Sequence, residues 1–306
     1  MKRRRIVVLL CVALAVLAAG GAYGWRRLAT GGEVTEVGVA EAVDRYREQV
    51  GASTTGPPTT AASVTTDLQS TTTRPSTATT ATSERQAVSA TTTTTTTTTT
   101  IPAVHSLVAP GVYQYATRGF DRVDALTGAR HDYPEITTMT AVPYGCGVRL
   151  RWDIAVERWD SWDWCLDGGA LRQSGWVGYH EFFGTPGRND YTCAGDPRPL
   201  DAPAGTTWQM TCRMADRTTT TFTGTVIEAT TLTVAGSEVP VLHVRYEVEV
   251  VGESTGHQTV EGWYRITDGL PVREHLTIAT KQDTVIGTTN FDEDYTIDLL
   301  TPTPTS

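Results

Sequence analysis

Val241-Leu242-His243-Val244-Arg245-Tyr246-Glu247-Val248-Glu249-Val250 alternates without a break. Leu242, Val244, Tyr246, Val248 and Val250 share one face, and His243, Arg245, Glu247 and Glu249 share the other. Successive side chains of a strand point to opposite sides, so this stretch is a strand with one buried and one wet face. The same period of two marks further strands at about 112–118, 134–142, 147–155, 158–166, 171–182, 206–214, 218–230, 257–266, 272–282 and 286–299. Asp268-Gly269 is a turn signal between two of them. Long strands in succession, with no helical pattern between them, predict an all-β domain over 110–300: an antiparallel open or half barrel made of one curved meander.

Other parts of the chain have other compositions. Residues 1–5 are a basic tail, and residues 6–25 are uncharged, ending at Trp25 before Arg26 and Arg27. Twenty residues at about 1.5 Å each match a hydrocarbon core of about 30 Å. The excess of basic residues before the segment orients the N-terminus to the cytoplasm and the rest of the chain outside. A cleaved signal peptide is the competing reading, because Ala18-Ala19-Gly20-Gly21-Ala22 offers small residues to a peptidase. Either reading exports residues 31–306. Cys11 follows the bulky Leu10, which argues against a lipoprotein site.

Residues 38–50 form an amphipathic helix in which Val39, Val43, Tyr46 and Val50 share a face. Its shortness favours a marginal juxtamembrane helix over one that docks on a partner or on the β domain. Residues 51–102 are Thr, Ser, Ala and Pro in the main, with Thr91 to Thr100 unbroken. Such a tract cannot bury a core and is expected to be a disordered, O-glycosylated spacer.

Formal net charge is −9, and residues 1–30 contribute +6, leaving −15 (−9 minus +6) for residues 31–306. An acidic ectodomain repels phosphate backbones, which excludes nucleic acid as a partner. The expected partners are the cytoplasmic membrane, through residues 6–25, and a lipid or cell-wall ligand.

Four of the five cysteines, Cys146, Cys165, Cys193 and Cys212, fall in the β domain at spacings of 19, 28 and 19. Zinc sites want closer pairs, so two disulfides are expected. If Cys146 bonds Cys165 directly across two antiparallel strands, facing residue numbers sum to 311 (146 plus 165). Arg151 then meets Asp160, Asp153 meets Arg158, Arg149 meets Trp162 and Trp152 meets Trp159. The same sequential logic joins Cys193 to Cys212. Val156 is a poor residue for a two-residue turn, so a longer, bulged loop is expected at that tip.

No hydrolase elbow, zinc-helix, phosphate-loop, dinucleotide or EF-hand pattern occurs, and no catalytic residue, metal ligand or cofactor is expected. His105, His131, His180, His243, His257 and His275 are scattered; His243 and His275 read as surface residues. Trp152, Trp159, Trp162 and Trp164, with Trp176 nearby, read as core and cross-strand aromatics of one hairpin, the alternative being a glycan-stacking platform. Asp292-Glu293-Asp294 fits either a calcium site or a strand with a solvated edge.

Trp263-Tyr264-Arg265-Ile266 followed by Asp268-Gly269-Leu270-Pro271-Val272-Arg273 resembles the strand-turn-strand pattern of bacterial lipoprotein-carrier (LolA-like) domains over about 240–298. That resemblance implies a half-barrel with an apolar concave face able to hold acyl chains. The four cysteines and the Thr-rich tract depart from that pattern. The whole chain also resembles uncharacterised membrane-anchored proteins of actinobacteria, which supplies no activity. The function expected is non-catalytic binding of a lipid or envelope partner; the alternatives are a secreted envelope hydrolase and a glycan-binding module using the Trp152–Trp164 cluster.

Overall fold

A computed structural model describes residues 34–54, 105–125, 128–215, 217–284 and 287–306. The expected tail at 1–5, membrane segment at 6–25 and nearly all of the Thr-rich tract lie outside these residues. No helix among the described residues is long and apolar enough to cross a membrane.

Helix α1 (Val39–Thr54) comes first and runs four residues past the expected end. Among the described residues fourteen strands follow: β1 (Gly111–Val123), β2 (Ala129–Asp132), β3 (Ile136–Tyr144), β4 (Gly147–Asp153), β5 (Arg158–Asp167), β6 (Ala170–Phe182) and β7 (Thr185–Gly195). Then come β8 (Arg198–Pro199), β9 (Thr207–Met214), β10 (Thr218–Val234), β11 (Ser237–Gly252), β12 (Ser254–Arg265), β13 (Pro271–Thr284) and β14 (Gly287–Leu299). Nearest neighbours in sequence pair antiparallel, from β3 round to β14, and β14 then pairs with β1.

The result is a closed barrel of twelve strands, with β2 appended to β1 and β8 to β6. This corrects the expected open or half barrel, and with it the half-barrel implied by the lipoprotein-carrier resemblance. The seam runs from Tyr115 opposite Leu299 to Val123 opposite Phe291. Closure satisfies the backbone groups that two edges would leave exposed. It also needs Gly119, opposite Tyr295 with φ of 150°, because a Cβ there would sit 2.3 Å from the Asp294 carbonyl oxygen.

Along β11 the faces divide as the sequence predicts. Leu242, Val244, Tyr246, Val248 and Val250 are buried, while Arg245, Glu247 and Glu249 are exposed. Membrane-spanning barrels turn an apolar band outward. Here the outer face is charged, so the wall faces water. Inside, one cluster includes Tyr113, Tyr115, Met139, Leu150, Trp152 and Ile297. A second includes Trp208, Leu242, Val244, Tyr246 and Val260. Trp152 is fully buried; at about 200 Å² of mostly apolar surface and about 25 cal/mol/Å², its burial contributes up to about 5 kcal/mol.

α1 docks on the barrel, which corrects the expectation of a marginal free helix. Val37, Ala42 and Val43 pack with Val112 of β1. Arg45 donates to Asp153 at 2.9 Å, and Thr35 bonds Glu157 through both its amide and its hydroxyl at 2.7 Å. The Val156 amide donates to the Thr35 carbonyl at 2.9 Å. Tertiary contact supplies what a helix this short lacks alone.

The two cysteine pairs stand at disulfide distance, with Cα separations of 5.3 Å for Cys146–Cys165 and 4.0 Å for Cys193–Cys212. The register between β4 and β5 is nevertheless one residue away from the expected one. Gly147, not Cys146, faces Cys165; Arg149 faces Asp163, Arg151 faces Ser161 and Trp152 faces Asp160. Cys146 lies in the turn before β4, so its bond to Cys165 leaves the register free. Arg149–Asp163 is the cross-strand ion pair that forms, at 2.6 Å. Arg151 instead lies over the Trp159 ring at 3.8 Å. The link between β4 and β5 is the longer loop expected, residues 154–157.

Candidate functional site

Alternation on five strands places a mixed group of side chains inside the barrel. β13 sends Glu274, Leu276 and Ile278 inward, and β14 sends Glu293, Tyr295 and Ile297. β5 contributes Arg158, Asp160, Trp162 and Trp164, β6 contributes Trp176, and β12 contributes Val260 and Tyr264. These residues line a cavity of about 120 Å³ that touches both hydrophobic clusters. An engineered protein cavity of about 150 Å³ takes up benzene. This one therefore has room for one ring or a short alkyl segment.

Towards the rim that carries the β4–β5 loop, the cavity wall becomes a buried charge cluster. Arg158 is its centre: Nη2 lies 2.9 and 3.1 Å from the two Glu293 oxygens, Nη1 2.6 Å from Asp160 and Nε 3.5 Å from Asp121. Tyr133 donates its hydroxyl to Glu293 at 2.5 Å, and the Trp176 indole donates to Asp160 at 3.1 Å. Asp121 is approached by His131 Nδ1 at 2.8 Å and His180 Nδ1 at 3.4 Å. Both contacts lie off the line of a donated N–H, so they are close polar approaches and not aligned hydrogen bonds. Phe182 stacks on His131 with 4.4 Å between centroids.

The electrostatics follow from burial and partners. Burial opposes the Asp121 charge, but His131 and His180 outweigh it and hold its carboxyl below the usual range. Burial also opposes the Arg158 charge, yet Asp160, Glu293, Tyr133 and Asp121 keep it firmly protonated. Burial lifts Glu293 against the pull of Arg158, with Asp121 and Asp160 adding to the rise.

Glu274 differs from all of these. Its two oxygens accept from Tyr264 at 2.8 Å and Tyr295 at 2.7 Å, and it makes no ion pair among the described residues. Part of its surface is the cavity wall, so it retains some accessible area although the barrel encloses it. Burial raises its pKa despite the two phenol bonds and the more distant Arg198.

A raised carboxyl binds its proton more tightly folded than unfolded. Stability is then lost as pH rises from the ordinary glutamate pKa, about 4.5, towards the folded value. Asp121 works in the opposite sense: its contribution is present above the unfolded aspartate pKa and lost as pH falls through the depressed one. Glu274→Gln should therefore gain stability relative to the native chain as pH rises from 4.5 to 8. Urea midpoints across that range check this; a variant that loses ground towards pH 8 would contradict it.

The tryptophans do not form one platform. Trp152, Trp162 and Trp164 point inward, while Trp159 lies outside, stacked on Tyr179 at 5.3 Å. Asp292-Glu293-Asp294 is split by alternation: Asp292 pairs with Arg122 on the outer wall, Asp294 accepts from Thr277 there, and Glu293 is buried. No cluster suited to a metal ion occurs among the described residues. His243 and His275 are on the outer wall, His243 stacked on Trp263 and bonded to Glu261. His131 and His180, which sequence reading left unassigned, are the two that converge. Their partner Asp121 faces His131 across β1 and β2, and no sequence signal marked β2. Glu274 left one trace, as an acidic residue at an inward position of an alternating strand.

Fold and cavity together define a water-facing, closed antiparallel β-barrel with a partly open aromatic and acidic pocket. No protein-family model matches the chain, and no curated protein matches it. Among solved structures, an exported protein of YmcC-like fold from Bacteroides fragilis aligns over 64% of this chain and 97% of its own. Identity is 11% and the TM-score 0.30, too low to carry an argument about fold or function.

Proposed function

We propose that the domain binds a small ligand with an apolar body inside the barrel, outside the cytoplasm, on a chain held to the membrane by residues 6–25. The observation that carries the binding reading is the cavity of about 120 Å³ walled by Trp162, Trp164 and Trp176. Enclosed, mainly apolar pockets with a few placed polar groups are what small-molecule sites look like. The volume suits a ring or short chain from an envelope component and not a whole diacyl lipid. Four cysteines paired at disulfide distance favour an oxidising compartment. Tryptophan fluorescence of the purified chain should shift saturably with toluene, and Ile278→Trp, which fills the cavity, should abolish the shift. An unsaturable response, or one unchanged in Ile278→Trp, would count against binding inside the barrel.

One observation favours a second reading, an envelope hydrolase. Glu274 and Glu293 both have raised pKa values at the cavity, as a general acid requires. Turnover of a bound envelope fragment by the native chain, lost in Glu274→Gln, would establish that reading in place of simple binding.

A further inference from the structure

We infer that the occupant of the cavity is a small organic cation, an ammonium or amidinium on an apolar body, with Glu274 as its counter-ion; this rests on the cavity binding proposed above. Both oxygens of Glu274 accept phenol hydrogen bonds, from Tyr264 and Tyr295. A phenol hydroxyl on each oxygen can satisfy an ionised carboxylate with two donors. An enclosed carboxylate without a counter-charge is costly. The protein supplies such a charge to Glu293 through Arg158 and supplies none to Glu274 within ion-pair distance.

Neither of the two guanidinium groups that border the cavity makes an ion pair with Glu274, although Arg198 acts on it at longer range. Arg158 serves Glu293, Asp160 and Asp121. Arg198 donates to the Gly269 carbonyl at 3.0 Å and lies over the rings of Tyr264 at 3.9 Å and Trp164 at 4.8 Å. With every group ionised, Asp160, Glu274 and Glu293 against Arg158 and Arg198 leave the lining one negative charge in excess.

The rest of the wall suits the same ligand. Trp162 and Trp164 stand on β5, five strands round the twelve-strand ring from Glu274 on β13. Indole faces attract cations, more strongly where water is excluded, and Arg198 already uses two rings of this wall in that way. Burial raises the Glu274 pKa, so as pH falls a proton competes with an arriving cation for the carboxylate. Affinity for a permanent cation should then rise with pH through the weakly acidic range.

The test compares benzylamine with benzyl alcohol, matched in shape and differing in charge, by tryptophan fluorescence of the full chain at pH 7. Benzylamine should bind at least tenfold more tightly. In Glu274→Gln that preference should vanish. Should Glu274→Gln fail to fold, the native chain decides: the benzylamine preference should shrink steadily as pH is lowered to 4.5. Equal binding of both probes, or a preference untouched by pH and by Glu274→Gln, overturns the cation and leaves cavity binding standing. Binding of neither overturns both.

Discussion

Arg158→Met should lower the unfolding free energy at pH 7 by about 3–5 kcal/mol, the usual loss when one member of a buried ion cluster is removed. The Arg158 side chain is 4% exposed, and its partners Asp121, Asp160 and Glu293 are 0%, 8% and 1% exposed. Methionine fills much of the same volume, so the loss is electrostatic and not a cavity effect. It leaves three carboxylates, from β1, β5 and β14, inside the barrel without the guanidinium they share. Their pKa values must rise, and the variant should recover stability between pH 7 and pH 5 as they take up protons. Glu293→Gln removes one carboxylate and leaves Arg158 paired with Asp160 and Asp121, so its cost should be smaller. Added to Arg158→Met it should restore part of the loss, because the two sites are in contact and do not add. Urea melts at both pH values measure all of this. An Arg158→Met variant as stable as the native chain would show that the cluster contributes nothing to the fold.

That cluster was hidden in the sequence by a single residue of register. With Cys146 placed opposite Cys165, Arg158 and Asp160 become outer-wall partners of Asp153 and Arg151. A slip of one sends every side chain of a strand to the other face, and β5 in fact points Arg158 and Asp160 inward. The strands themselves were legible because their apolar residues recur at every second position. β7 was not: Pro186, Gly187, Asn189 and Asp190 break any apolar alternation. They are tolerated because residues 185–191 pair with β6 alone, β9 joining β7 only from Thr192 to Gly195. A free edge accepts proline and charge. Barrel closure left no trace either, since a strand at a seam has the same alternation as a strand at an edge. Glu274 showed only as an acidic residue at an inward position, because its role comes from Tyr264 and Tyr295 on two other strands and from the ion pair it lacks.

Docking of α1 changes what the Thr-rich tract can do. Read along the chain, residues 51–102 are a spacer of about 50 residues, averaging about 40 Å end to end and reaching about 165 Å when extended. α1 precedes the tract, and both α1 and the strands after it belong to one compact unit. The tract therefore leaves and returns to the same domain, so on the proposed anchoring the distance to the membrane would be set by the residues before α1. From Trp25 to Thr35, the first of the described residues bonded to the barrel, there are ten residues, about 35 Å at full extension. On the proposed anchoring by residues 6–25, the β4–β5 loop is held within that distance of the bilayer. Deleting Thr91–Thr100 should then leave the barrel-to-membrane distance unchanged. Energy transfer from a dye on the barrel to acceptor lipids, in vesicles carrying the full chain, reads that distance. Ala42→Glu puts a charge into the fully buried contact of α1 with β1 and should undock the helix. In that background the barrel should move away from the bilayer, and the same deletion should bring it back. A native chain whose barrel approaches the membrane when Thr91–Thr100 are removed would restore the spacer and show that α1 does not hold.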